Sequence, residues 1–404
     1  MKVAIYGLPR SGKDHLISQL KDVRHIQGSQ WLNERSNGDF PDLPEHEKAI
    51  LRKEFIGFVN DQNDEHIVVD GHYAFPDKDG EYRVVFTKED GDCYDKIIYL
   101  DAPSSAIIQR MLDSDKNAKY RSLEPKDIDA WKNYEIEGLR KECLSRNKDL
   151  IILDSDTPSL LEYFRLILSG SSVSLSFKVA EEIAQDIVQR SAGKGTICLL
   201  DCDRTISSND VTYEFISLAG IKPSVPKDTF GDNRYSSYQF WKMAIRYSEV
   251  GEYDNFCQMA AGRAALNTAL IDDVKGMSGC YFVGITSGLR KSWESIRQSC
   301  GFPDMIVGGS NINTDRWVIS DMLKGYVAKS LKKHGKRVVA VGDSMGDRIM
   351  LEMADHSYVT AQEKISTSLQ AYLRDNHHSI KQPDYNIFKF QGVKVVRSIH
   401  EDID

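Results

Sequence analysis

Two largely apolar runs, KVAIY at residues 2–6 and TICLL at 196–200, each break directly into a polar turn dense with chemistry-bearing residues. A short β-rich run bounded by such a turn reads as a strand covered on both faces, and strands of that kind belong to parallel sheets flanked by helices. The same alternation follows each turn. In the first part HIVVDG, KIIYLDAP and DLIILDSD are separated by helical stretches, one from Lys13 and another through Ser105–Asp113. In the second part YFVGITSG and RVVAVGDS follow TICLLDCD. The pattern predicts an α/β protein with two doubly wound parallel-sheet domains.

Length agrees with a division into two. Single hydrophobic cores stop growing at about 250–300 residues, and this chain has 404. The Ser-rich stretch LSGSSVSLS at 168–176 lacks helical periodicity and reads as a linker. An amphipathic helix over about Lys178–Ser191 then bridges to the second part. The expected organisation is residues 1–170, a linker and bridging helix over 171–194, and a second domain over 195–404. Within the latter, residues 208–276 are helical in pattern without a strand run, as expected of an inserted cap.

Composition narrows the partners. A formal net charge of −8 argues against a broad electrostatic grip on nucleic acid or an anionic membrane, and leaves small phosphorylated ligands compatible. The basic cluster Lys332, Lys333, His334, Lys336 and Arg337 directly precedes a strand-like run and reads as a solvated helix end. Seven cysteines without a CxxC pair suggest neither a disulfide framework nor a zinc site, which fits a reducing cytoplasm. Met1 leads straight into a strand and no apolar run approaches the ~20 residues of a membrane span, so the expectation is a soluble protein without a signal peptide.

The first turn, Gly7-Leu8-Pro9-Arg10-Ser11-Gly12-Lys13-Asp14, matches GxxxxGK between a strand and a helix, the context of a phosphate-binding loop. Glycines such as Gly7 and Gly12 let backbone N–H groups approach phosphate oxygens, the helix terminus adds a favourable dipole, and Lys13 can reach the outer phosphates. Asp14 stands where a Ser or Thr hydroxyl usually helps hold magnesium; a carboxylate is a hard ligand that can serve the same ion. Asp70 ends HIVVD and precedes Gly71 and His72. At the carboxyl end of a parallel strand it could orient magnesium or accept a proton, or it forms only an Asp-Gly turn.

The RSGKD string resembles phage deoxynucleoside monophosphate kinases and animal phosphomevalonate kinase, which also carry Asp after the lysine. Residues 1–168 thus resemble a P-loop, nucleoside-monophosphate-kinase-like domain, implying ATP and magnesium as cofactors. Arg110, Lys116, Lys119 and Arg121 resemble the arginine-bearing lid of those enzymes, with a solvated charged helix as the alternative, Arg110 and Arg121 being the better candidates.

The second turn, Asp201-Cys202-Asp203-Arg204-Thr205, fits DxDxT. Residues two apart in an extended strand end project the same way, so two carboxylates can face one phosphorus. The motif resembles the first signature of haloacid dehalogenase-superfamily phosphatases. That resemblance implies a Rossmann-like fold with a helical cap, Asp201 as nucleophile, Asp203 as general acid and base, and Thr205 orienting Asp203. It further implies phosphate binding by Thr286, with Ser287 as the alternative, charge compensation by Lys324, and a magnesium site involving Asp201, Asp203, Asp343 and Asp347. Phosphoserine phosphatase-like members show the greatest likeness, in DCDRTISSNDVTYEF. Asp210 stands where that group often has a substrate-selecting Glu. In the cap, Arg234, Tyr235 and Arg246 are either substrate readers or surface residues.

The expected function is bifunctional phosphoryl chemistry on small molecules: ATP-dependent transfer in the first domain and magnesium-dependent monoester hydrolysis in the second. Two other functions fit the same motifs. One is a polynucleotide 5′-kinase joined to a 3′-phosphatase, disfavoured by the acidic charge and the cap. The other is a phosphatase regulated by a nucleotide-sensing loop domain.

Overall fold

A computed structural model describes the chain except Lys78, residues 114–119, Arg121 and residues 155–158, 172–174, 232–233, 361–365, 377–384 and 388–404. The chain divides into two compact units, Met1–Ser174 and Leu175–Asp404.

In the first unit the strands are β1 (Lys2–Tyr6), β2 (Arg24–Gln27), β3 (Ile67–Asp70), β4 (Ala74–Pro76), β5 (Tyr82–Val84), β6 (Lys96–Asp101) and β7 (Leu150–Asp154). Five of them form a parallel sheet in the order β2-β3-β1-β6-β7, while β4 and β5 pair as a small antiparallel ribbon. The sheet strands read as continuous apolar runs because helices cover both faces: Val3, Ile5, Val68, Ile97, Ile98, Ile151 and Ile152 are all buried. The chain leaves β1 towards one edge and returns past it to β6. That reversal opens a crevice at the carboxyl ends of β1 and β3, where ligands bind in such sheets.

The second unit repeats the plan with β8 (Thr196–Leu200), β9 (Cys280–Thr286), β10 (Met305–Gly308), β11 (Arg337–Gly342), β12 (His356–Val359) and β13 (Tyr385–Ile387). Their order is β10-β9-β8-β11-β12-β13, and every pairing is parallel. Here the reversal falls between β8 and β11. Between β8 and β9 the described residues form five α-helices: Val211–Leu218, Ser224–Phe230, Ser237–Ser248, Tyr253–Gly262 and Thr268–Lys275. Phe215, Tyr247, Cys257, Leu270 and Val274 from this insertion share a core with Cys198 and Leu200 of β8 and Trp293 of the helix Arg290–Cys300.

The helix expected to bridge the domains spans Ser176–Arg190 and is an integral layer of the second unit. Its buried stripe of Val179, Ala180, Ile183, Ala184 and Ile187 follows helical periodicity. It is tied to the helix Asp321–Lys333 by an edge-on contact of Phe177 with Tyr326 and by Ser330 donating to Glu181 at 2.9 Å. None of the described helices is long and apolar enough to cross a membrane.

Candidate active sites

In the first unit the phosphate-loop signature folds tightly over the end of β1. Ser11 N–H donates to the Leu8 carbonyl, and Gly12 enters the helix Lys13–Ser18 in the left-handed region at φ 105°. Gly7 also sits at positive φ (151°), and a Cβ there would lie 2.9 Å from both the Leu100 carbonyl and Ser11 Oγ, so a side chain at this position would close the loop. Lys13 is buried, and its ammonium donates to the carbonyls of Gly7 (2.6 Å) and Leu8 (3.1 Å). Burial lowers its pKa to about 8 despite Asp70, Glu135 and Asp14 nearby. Ser11 Oγ is buried without a hydrogen-bond partner among the described residues. Arg110 Nη1 reaches across to the backbone carbonyls of Arg10 (3.1 Å) and Ser11 (3.3 Å), which places this lid candidate on the loop itself. Arg10 takes up positive φ (67°) within the turn. Arg121, Lys116 and Lys119 lie outside the described residues.

Asp14 and Asp70 converge with a residue that the sequence did not single out. Ligand atoms of Asp14, His25 and Asp70 lie within 4.8 Å of one another, and His25 Nε2 is 3.1 Å from Asp70 Oδ1. His25 reaches Asp70 because edge strand β2 pairs with β3, a contact without a local signature in the sequence. Glu135 was also missed, being one acid among many in the helix Pro125–Arg146. It is fully buried, accepts hydrogen bonds from the N–H groups of Tyr73 and Ala74, and burial raises its pKa to about 7.

In the second unit the carboxylates lie where β8 and β11 end side by side. Asp201 follows β8 and Asp343 follows β11, while Asp347 closes the short turn Met345–Asp347. Oxygens of Asp201, Asp343 and Asp347 lie within 4.8 Å of one another. Ser320 caps the helix Asp321–Lys333 and sets Lys324 on its first turn. From there the buried Lys324 ammonium donates at 2.7 Å to both Asp201 and Asp347. The other oxygen of Asp347 accepts from the N–H groups of Asp343 and Ser344 and from the Ser344 hydroxyl.

Electrostatics follow from this crowding. Burial raises the pKa of Asp201 and of Asp343, and the neighbouring carboxylates push both further up. Burial by itself would lower the pKa of Lys324, but Asp201 and Asp347 outweigh it and hold the lysine charged. Clustered oxygen donors with this excess of negative charge suit a hard divalent cation such as magnesium.

Asp203 departs from the expected metal set. Its carboxylate turns to the start of the helix Val211–Leu218 and accepts from Val211 N–H (2.7 Å), Thr212 N–H (3.3 Å) and Thr212 Oγ1 (2.9 Å), so it stands outside the group of Asp201, Asp343 and Asp347. Thr205 does not orient it, because its hydroxyl is buried 3.2 Å from that of Thr360. Thr212 takes that part, since free N–H groups at a helix start draw a carboxylate towards them. Burial, followed by the charge of Asp210, raises the pKa of Asp203 to about 7.

Thr286, buried at the end of β9, accepts from Gly288 N–H at 2.9 Å. A Cβ on Gly288 would meet Thr212 Oγ1 at 2.0 Å, Asp203 Oδ2 at 2.6 Å and Thr286 Oγ1 at 3.2 Å, so this bare backbone is what lets the three side chains gather. Ser287 is half-buried between Thr286 and Gly288.

The helical insertion reaches the site through Tyr235. Its carbonyl accepts from Asp321 N–H, its ring lies near Gly346, and burial together with Asp343 and Asp347 raises its pKa. Arg246 is exposed and paired with Glu249, a surface position, while Arg234 is half-buried.

No protein-family model matches this chain, and no curated protein does. Among solved structures it is similar to a phospho-aspartyl intermediate analogue of phosphoserine phosphatase, at 18% identity and a TM-score of 0.35, over 46% of this chain and 100% of that one. It is also similar to shikimate kinase from Bacteroides thetaiotaomicron, at 14% identity and a TM-score of 0.29, over 40% of this chain and 93% of that one. A chain of the Pnkp1/Rnl/Hen1 RNA repair complex matches 87% of this chain and 91% of its own length, at 14% identity and a TM-score of 0.24.

Proposed function

We propose that the carboxy-terminal unit is a magnesium-dependent phosphate monoesterase working through an aspartyl phosphate. We further propose that the amino-terminal unit binds ATP and transfers its terminal phosphoryl group to a nucleotide or another small phosphorylated metabolite. The observation that carries the first part is the division of labour between the two motif carboxylates. Asp201 is gripped by Lys324 at 2.7 Å within the carboxylate group, whereas Asp203 is held apart on a helix start.

In the proposed reaction an Asp201 oxygen attacks phosphorus and the bond to the substrate oxygen breaks. Asp203, with a pKa raised to about 7, donates its proton to that leaving oxygen. Asp203 then takes a proton from water, whose oxygen attacks phosphorus, and the bond to Asp201 breaks to release phosphate. Lys324 offsets the charge of Asp201 throughout. Magnesium bound by Asp201 and Asp343 would supply the positive charge that keeps these acids ionised and screens the approaching phosphate.

In the amino-terminal unit the support is the loop's vacant donor capacity. Lys13 rests on loop carbonyls, the Ser11 hydroxyl has no partner among the described residues, and Arg110 stands over the turn. Asp14 and Asp70, whose ligand atoms lie within 4.8 Å of each other, would hold the magnesium that accompanies ATP.

The test of the hydrolytic half is Asp201→Asn assayed on p-nitrophenyl phosphate. Turnover should fall by about 10³-fold or more with the fold retained. Near-wild-type turnover would remove Asp201 from the nucleophile role. Transfer of labelled phosphate from ATP to a panel of mononucleotides, lost in Lys13→Met, tests the other half.

A further inference from the structure

The turn that carries Asp201 and Asp203 also carries an arginine in a conformation that side chains rarely adopt. Arg204 lies at φ 61°, ψ 5°, in the left-handed region, where glycine is at ease and other residues are strained. Its N–H donates to the Asn209 carbonyl at 3.1 Å. Asn209 is anchored in turn through its amide to Arg263 and Ala265. The backbone under the arginine is therefore fixed, and the root of its side chain with it.

The guanidinium has donors to spare. Its side chain is 58% exposed, and its Nε is 3.7 Å from Asp210 Oδ2, too far for a hydrogen bond. No described residue accepts a hydrogen bond from it. It is rooted in the same turn as the motif carboxylates, directly after Asp203 and three residues beyond Asp201. Lys324 is buried and engaged by Asp201 and Asp347, so Arg204 is the open cation of the two.

Asp210 is committed elsewhere. Its Oδ1 accepts from Tyr213 N–H at 2.8 Å as the cap of the helix Val211–Leu218, and its other oxygen faces Arg204. An acid occupied in this way is poorly placed to select a substrate ammonium group.

Building on the phosphatase reading of this site, we infer that Arg204 is a specificity-determining residue. It selects small phosphate monoesters that carry a second anionic group, a carboxylate or a further phosphate, over those that carry an ammonium group. A guanidinium presents a planar fork suited to such a group, and Asp210 steadies it without consuming its donors.

Two substrates of similar length and opposite terminal charge test this: 2-phosphoglycolate and O-phosphoethanolamine, with p-nitrophenyl phosphate as the general reporter of hydrolysis. The wild type should favour phosphoglycolate in kcat/KM, and Arg204→Gly, which suits the backbone conformation, should reduce that preference by about tenfold, chiefly through KM. Asp210→Asn keeps the helix cap and frees the guanidinium of its counter-charge, so the preference should rise. A wild type that hydrolyses p-nitrophenyl phosphate but prefers phosphoethanolamine, or a preference that Arg204→Gly leaves intact, overturns the inference alone. A wild type inactive on p-nitrophenyl phosphate overturns the phosphatase reading, and the inference falls with it.

Discussion

Each unit buries a lysine beside its motif turn, Lys13 in the first and Lys324 in the second, and the two are held in opposite ways. Lys324 sits between Asp201 and Asp347, whose charges raise its pKa. Among the described residues Lys13 donates to loop carbonyls alone, and burial lowers its pKa to about 8. A buried ion with matched counter-charges belongs to a site assembled before any ligand arrives. One resting on neutral carbonyls carries an unmet desolvation cost that an incoming phosphate would relieve. On the proposed function, the hydrolytic site would be preorganised, whereas the loop would be completed by its anion.

The largest effect expected from this contrast is that of Lys324→Met. Removing the ammonium leaves Asp201 and Asp347 buried against each other, at a cost of roughly 3–5 kcal/mol of stability. Hydrolysis should also fall by about 100-fold or more, because the charge facing the phosphate is gone. Denaturant titration and p-nitrophenyl phosphate kinetics read the two losses.

Lys13→Met should behave differently. Affinity for ATP, read by calorimetry, should drop by about tenfold or more through the lost charge-assisted bonds, while stability changes by less than about 1 kcal/mol. If this variant proved as destabilised as Lys324→Met, the contrast between the two lysines would be broken.

A pH dependence sharpens the electrostatics of the first unit. The folded-state pKa of Glu135 is raised from 4.5 to about 7. Its contribution to stability is therefore fully present below the unfolded-state value and is lost as pH rises through the folded one. Stability of the first unit, followed by amide hydrogen exchange, should decline by up to roughly 2–3 kcal/mol between pH about 5 and 7. Glu135→Gln should flatten that decline, since its amide oxygen can still accept from Tyr73 and Ala74. An unchanged slope would mean that Lys13 keeps Glu135 ionised at low pH.

Much of the architecture was legible because it rests on local pattern. Apolar runs bounded by polar turns marked β1, β8, β9 and β11, and the GxxxxGK and DxDxT spacings located the two turns that bear Lys13, Asp201 and Asp203. Residues whose part depends on neighbours remote in sequence were not legible. His25 meets Asp70 only because β2 pairs with β3, and nothing in RHIQ announces it. Thr205 was expected to orient Asp203 from two residues away, yet the hydroxyl that does so belongs to Thr212, brought in by the helix after the turn.

By itself the sequence determined the strand ends, the reactive side chains carried by the two turns and the helical nature of the insertion, since each follows from side-chain type and spacing along a few residues. Only the tertiary structure decided which acids share one cluster and which stand apart. It drew Asp347 to Lys324 and turned Asp203 away to a helix start. Strand order and helix packing set those distances, and electrostatic coupling depends on distance through space, whatever the separation along the chain.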